Sequence, residues 1–193
     1  MTRGLERISS LALGLALTVA ALGAAPVAAE DEISRHWGAE KLAVSLLNCT
    51  RTGGWVKANG TCVGRGSGKY SAYRAPLRRH QGISRKVAWK WARNMVRYEV
   101  CSHDIAGRPS LRTRMVNAGF TYGTFGENIG CGWGWGSPKE VVLRTHRLFQ
   151  KERSYNGGHW QNIKNRRYKS VGVGVAYRKG TVMLVYDFYG KRY

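Results

Sequence analysis

Thr145–Asn165 reads THRLFQKERSYNGGHWQNIKN and sets Glu152 and His159 on either side of the turn Tyr155-Asn156-Gly157-Gly158. At 3.6 residues per turn, Val141, Thr145, Leu148 and Glu152 share one narrow sector of a helical wheel, while Arg144, Arg147 and Lys151 occupy another. A carboxylate therefore rides on the apolar side of a helix. An isolated buried carboxylate costs several kcal/mol, so this one calls for an ion pair, hydrogen bonds, a metal, or a place on the floor of a cleft.

The start of that helix is written in Ser137-Pro138-Lys139-Glu140: an N-cap serine, a proline at the first helical position, and a glutamate placed to close a capping box. Downstream, His159–Ile163 reads as a short turn. Val171, Val173, Val175 and Tyr177 then alternate, as do Val182, Leu184, Tyr186 and Phe188, and Arg178-Lys179-Gly180 joins the two runs as a hairpin. Gly172, Gly174 and Ala176 fill the gaps of the first run, so that face admits another element at close range.

Upstream, Ile33, Trp37, Leu42, Leu46 and Leu47 predict an opening helix that ends near Asn48. Arg51–Lys69 is a Gly-rich loop. From Ser84 to Val100 the period is strongly helical, with Val87, Trp91, Met95 and Tyr98 on one face and a cationic stripe of Lys86, Lys90, Arg93 and Arg97 on another. Such a stripe reads as a solvated face or as a groove for a polyanion. Ser110–Ala118 predicts a shorter helix closed by Gly119, and Phe120–Ile129 an irregular extended segment. In Cys131–Gly136, a loop on this reading, Trp133 and Trp135 are expected to cap the core.

Residues 1–29 carry a basic start at Arg3 and Arg7, an apolar run Leu11–Leu22 and a small-residue cleavage site Val27-Ala28-Ala29, which together read as an export signal peptide. The expected mature chain, residues 30–193, is a single secreted domain with no transmembrane segment. Without the leader it holds 30 Lys+Arg against 10 Asp+Glu, a formal charge of +20 that attracts polyanions. The charge is spread along the chain, so sequence-specific nucleic-acid binding has no support. Four cysteines in an exported chain favour two disulfides over free thiols, with three connectivities. Cys49–Cys62 and Cys101–Cys131 are expected because each closes a moderate loop. A four-cysteine zinc site is disfavoured, since no C-x2-C pair occurs.

Four polar residues are candidates for chemistry: His103 after the long helix, Glu127 in Gly126-Glu127-Asn128-Ile129, Glu152, and His159. Two imidazoles and two carboxylates suit Zn2+ or another divalent cation, with His103, His159 and Glu127 as ligands, and equally a hydrogen-bonded network without metal. His36, His80 and His146 read as structural or surface residues. No serine or cysteine stands in a nucleophile motif.

The order Leu46-Leu47-Asn48-x-x-Arg51, Ser102-His103, Gly126-Glu127-Asn128-Ile129, Gly158-His159-Trp160-x-Asn162-Ile163 and Gly172-Val173-Gly174-Val175-Ala176-Tyr177 resembles the CAP superfamily of cysteine-rich secretory, antigen 5 and pathogenesis-related proteins, over about Ile33–Tyr189. The resemblance implies an α+β fold, a three-layer α-β-α sandwich with a terminal β-hairpin. It also implies a cleft lined by a His-Glu-Glu-His tetrad that holds divalent cations in some members. His103, Glu127 and His159 match motif positions. Glu152 lies three residues past Phe149, where the family often places tryptophan in W-x-x-E, and only seven before His159. Many bacterial members lack this acid.

The function expected from the resemblance is a secreted binding or interaction protein, since the superfamily has no generally agreed catalysis. Its basic surface suits an anionic cell-envelope polymer, a polysaccharide or, by analogy with some relatives, lipid. The rival expectation is a metal-dependent hydrolase in which His103, His159 and one glutamate bind zinc and the other glutamate is general base. The sequence leaves the oligomeric state open.

Overall fold

The computed structural model describes Met1 and residues 32–191; the signal-peptide reading, Met1 apart, falls outside the described residues. Residues from 32 onward belong to one compact unit, Asp31–Tyr193. Its centre is a sheet in the order β1 (Ser34–Arg35), β6 (Ser170–Arg178), β7 (Thr181–Gly190), β5 (Thr124–Trp133), with β4 (Arg78–Arg79) pairing in parallel with β6. Strands β2 (Trp55–Val56) and β3 (Cys62–Val63) form a separate small ribbon. Lys179 and Gly180, both at positive φ, make the tight turn between β6 and β7.

Side chains alternate across this sheet and divide its cover into two layers. Val171, Val173 and Val175 of β6 and Val182, Leu184, Tyr186 and Phe188 of β7 meet α1 (Trp37–Arg51), α5 (Pro138–Lys151) and α6 (Gly158–Lys164). Ala176, Met183, Val185 and Ile129 face α3 (Trp89–Arg97), which continues a helical run begun by α2 (Gln81–Ile83) and a wide π-turn, Ser84–Ala88. Ile83, Val87 and Met115 of α4 (Leu111–Asn117) extend the second layer. The three-layer α-β-α sandwich with its terminal hairpin is therefore present as expected.

The π-turn lies against the glycines of β6. A Cβ added to Gly172 would stand 2.3 Å from Ile83 Cγ2, and one on Gly174 would stand 2.4 Å from the backbone carbon of Ala88. The helix thus rests on bare strand backbone. On the edge of β6 away from β7, no strand among the described residues pairs between the short strands β1 and β4, and side chains take that place: Val173 N donates to Ser84 Oγ at 3.0 Å and Val175 N to Glu40 Oε1 at 3.4 Å. Glu40 is fully buried and is held by Arg35 at 2.7 and 3.0 Å and by Arg79, a paired charge that closes the sheet edge.

Several expectations change. The first helix spans Trp37–Arg51 rather than 33–48, with His36 as N-cap accepting from Ala39 N at 3.0 Å. The long helix begins three residues early because His80 caps it through Ile83 N, and Tyr98 lies exposed beyond its end. Residues 124–133 form a ten-residue strand rather than irregular chain, because β7 supplies a continuous ladder from Thr124↔Gly190 to Trp133↔Thr181. Trp133 and Trp135 are 48% and 37% exposed and do not cap the core. Residues 158–164 are helix, not turn. On α5 the inner face is rotated by about one residue: Leu148 is exposed, while His146 and Phe149 are buried beside Val141, Val142 and Thr145.

Candidate functional site

Glu127 and Asn128 are neighbours on β5, an outer strand of the sheet, and point to opposite sides of it. Gly126, Gly130 and Gly132 share the side of Asn128, where added Cβ atoms would meet Tyr168 and Asn162, Thr145, and Val141 respectively. Ile129 and Cys131 share the side of Glu127 and pack in the α3 layer.

On the α3 side, the Cys101–Cys131 disulfide fastens the loop that follows α3 to β5, four residues along the strand from Glu127. Trp91 Nε1 donates to Ser102 O at 3.2 Å and fixes the same loop from below. His103, the next residue, is thereby laid against Glu127, with Nδ1 2.8 Å from Oε1. The other carboxylate oxygen, Oε2, accepts from Arg114 Nη2, and the Arg114 guanidinium stacks 3.6 Å over the Trp91 ring. Glu127 is buried while the His103 side chain is half exposed, at the wall of an open cleft of about 520 Å³. The hydrogen bond to Glu127 raises the His103 pKa above its ordinary 6.5 against the opposing effect of burial.

On the other side, α5 tightens after Lys151 into a 3-10 turn, Glu152–Tyr155, and this turn swings the Glu152 carboxylate toward the start of α6. Oε1 lies 2.5 Å from His159 Nδ1, and Oε2 accepts from His159 N at 2.9 Å and Trp160 N at 3.3 Å. Glu152 thus holds the imidazole and satisfies two backbone donors in the first turn of α6. Gly157 leaves the room: a Cβ there would stand 2.6 Å from Glu152 Oε2. Phe149 stacks on the His159 ring at 4.2 Å. α6 is tied to the strand by Asn128 Nδ2, which donates to His159 O at 3.1 Å, and by Asn162 Nδ2, which donates to Glu127 O at 3.1 Å and to Asn128 Oδ1 at 2.8 Å.

The four predicted residues are thus joined two by two, His103 with Glu127 and His159 with Glu152. The contacts that link the pairs run through Asn128 and Asn162. Among the described residues, no three His, Cys, Asp or Glu side chains are grouped so as to hold a metal ion. Both oxygens of Glu127 are engaged, Oε1 by His103 and Oε2 by Arg114. The predicted Cys49–Cys62 and Cys101–Cys131 disulfides are both formed.

Two members of the site escaped the sequence reading. Arg114 falls within the Leu111–Met115–Ala118 stripe of its helix, where a cation on an apolar face is a legible signal. Asp187, directly across the ladder from Glu127, is a lone acid in the run Val182–Tyr189, which is otherwise apolar or aromatic. It is fully buried. Burial first and the Glu127 charge second push its carboxyl well above the usual range. His146, set aside as structural, is fully buried with Nε2 2.8 Å from Thr50 Oγ1, and burial lowers its pKa to about 3.

No family model matches the chain, and no curated protein matches it. Two solved structures do. An extracellular protein containing an SCP domain from Bacillus anthracis str. Ames aligns at 19% identity and a TM-score of 0.56 over 80% of this chain; the chain spans 41% of that protein's length. An outer surface protein from Borrelia burgdorferi aligns at 13% identity and a TM-score of 0.60, over 84% of this chain and all of the other. With the α-β-α layers and the order of elements described above, these likenesses show that the chain has an SCP/CAP-like fold.

Proposed function

We propose that this chain is an exported binding module in which His103 and His159 together hold a divalent cation, Zn2+ or a similar ion, and whose basic surface engages an anionic envelope polymer. The observation that carries the reading is the state of the two imidazoles. Each has Nδ1 committed to a carboxylate, at 2.8 Å for His103 and 2.5 Å for His159, and each is partly exposed. A carboxylate on one ring nitrogen fixes the tautomer and makes the other nitrogen a better ligand, which is the outer-shell arrangement of metal-binding histidines. Glu127 and Glu152 then orient the ligands, and Nε2 of each ring is the donor. Two nitrogens and solvent suit an exchangeable ion, which supplies charge for recognising an anionic group.

This arrangement supports binding over hydrolysis. A catalytic zinc takes three protein ligands and a water, with a separate carboxylate as base. Here both carboxylates are already bound to the imidazoles, and Glu127 to Arg114 as well.

Zinc titration of the mature protein by calorimetry tests the proposal. The expected result is one ion per chain, with affinity reduced at least tenfold in His103→Ala and in His159→Ala alike. Zinc binding that survives both substitutions unchanged, or none in the unsubstituted protein, overturns it.

A further inference from the structure

A second cleft, of about 460 Å³, lies between the helical run leading into α3 and the second half of α4, and neither His103 nor His159 lines it. One wall is the stripe Lys86, Lys90 and Asn94, spaced by four and so projecting from one side of the helix. Both lysines are exposed. The facing wall is α4, which contributes Arg114 and Asn117. None of the residues lining the cleft is acidic.

Arg114 gives this cleft a built component. Its side chain is 8% exposed, it is stacked on Trp91, and only Nη2 is engaged, by Glu127. Nε and Nη1 are buried with no hydrogen-bond partner among the described residues. A guanidinium offers five N–H donors in a fixed fork suited to a carboxylate or phosphate, and leaving such donors unmet in a buried place is costly. Burial lowers the Arg114 pKa, partly offset by Glu127, Asp187 and Asp104, and leaves it a cation. Three cations and two amide side chains therefore surround one cavity with two guanidinium nitrogens unmet.

We propose that the cleft between α3 and α4 is a binding site for an oxyanion group, carboxylate or phosphate diester, carried on an anionic polymer. This rests on the reading above that the partner is such a polymer, and it locates where the chain grips it. The lysines draw the charged strand in, the amides of Asn94 and Asn117 offer hydrogen bonds beside it, and Arg114 receives the oxyanion at the floor. Because Arg114 also holds Glu127, an anion seated in the cleft bears on the orientation of His103 through one side chain.

The test compares poly(galacturonate) and poly(glycerol phosphate) as ligands of the mature protein at 150 mM NaCl with chelator present, so that no metal contributes. Lys86→Gln/Lys90→Gln is set against Arg144→Gln/Lys151→Gln, which removes the same charge from the exposed face of α5. All four side chains are exposed, and both variants are expected to melt with the unsubstituted protein. The expected result is a loss of about tenfold in the cleft variant and less than about twofold in the control, since distant charges are screened at this salt. The polymer that binds more tightly names the oxyanion. Equal losses in the two variants remove the cleft while leaving polyanion binding intact; no binding of either polymer by the unsubstituted protein removes both.

Discussion

Asp187 stands opposite Glu127 in the β5–β7 ladder, fully buried, and neither of its carboxylate oxygens has a hydrogen-bond partner among the described residues. Burial first, and the Glu127 charge directly across the ladder second, oppose ionisation of Asp187 and raise its pKa. The folded state holds this proton more tightly than the unfolded chain. Its contribution to stability is therefore complete below the unfolded value near 3.8 and is lost as pH rises toward the raised folded value. Asp187→Asn should remove that loss, with a gain of at least about 1 kcal/mol at pH 7.5, roughly 2–4 °C in Tm, and little or none at pH 4. Melting curves at the two pH values check this; a gain of the same size at both would mean that charge is not the cause.

The His103 imidazole should titrate above 6.5 because its hydrogen bond to Glu127 favours the charged ring. The stabilisation from this pair is fully present below pH 6.5 and disappears as pH rises through the elevated value. Cation affinity should run the opposite way, increasing over that interval as the proton leaves. Histidine ring signals followed by NMR against pH measure the pKa directly. Glu127→Gln is expected to lower it, and an unchanged value would show that the contact at 2.8 Å carries no energetic weight.

His146 carries the opposite sign. Its folded pKa of about 3 lies below the unfolded 6.5, so the unfolded chain binds the extra proton first and stability falls as pH drops from 6.5 toward 3. The full span corresponds to roughly 5 kcal/mol. His146→Gln keeps a polar group within reach of Thr50 and cannot be protonated, so its Tm should depend less on pH across this interval than that of the unsubstituted protein. Parallel pH slopes for the two would sink the assignment.

Gly174 and Gly158 separate space from conformation. Alanine at 174 would place Cβ 2.4 Å from the Ala88 backbone, which only a shift of the π-turn off the sheet relieves, at a cost of about 1–3 kcal/mol or more. At Gly158, in the first turn of α6, nothing among the described residues lies within 4 Å of the added carbon. Denaturant midpoints should fall for Gly174→Ala and hold or rise for Gly158→Ala, since alanine is the better helix former by about 1 kcal/mol.

Local chemistry made much of this molecule legible in advance. Ser137, Pro138 and Glu140 announce the start of α5, and the capping box they predict is formed. Alternation drew β6 and β7, and the glycines of β6 foretold a close neighbour, because caps, turns and periodicity are settled within a few residues of chain. One reading failed where a partner far away in sequence decides. Residues 124–133 carry three glycines and look irregular alone, and become a strand because β7 offers a complete ladder. The wheel asked for a partner for the Glu152 carboxylate, and the chain supplies one by tightening at Glu152 into a 3-10 turn that directs it to His159.

By itself the sequence determined the main helices, the β6–β7 hairpin, their order, and the identity of the two imidazoles and two acids, since each follows from short-range spacing or residue type. Only the tertiary structure decided that the acids and imidazoles join as two pairs, that Arg114 and Asp187 belong beside Glu127, and that a cationic stripe faces α4 across a cleft. The reason is physical: a charge is stabilised by whatever the fold sets within a few ångströms of it, and those neighbours come from chain segments whose meeting no local pattern encodes.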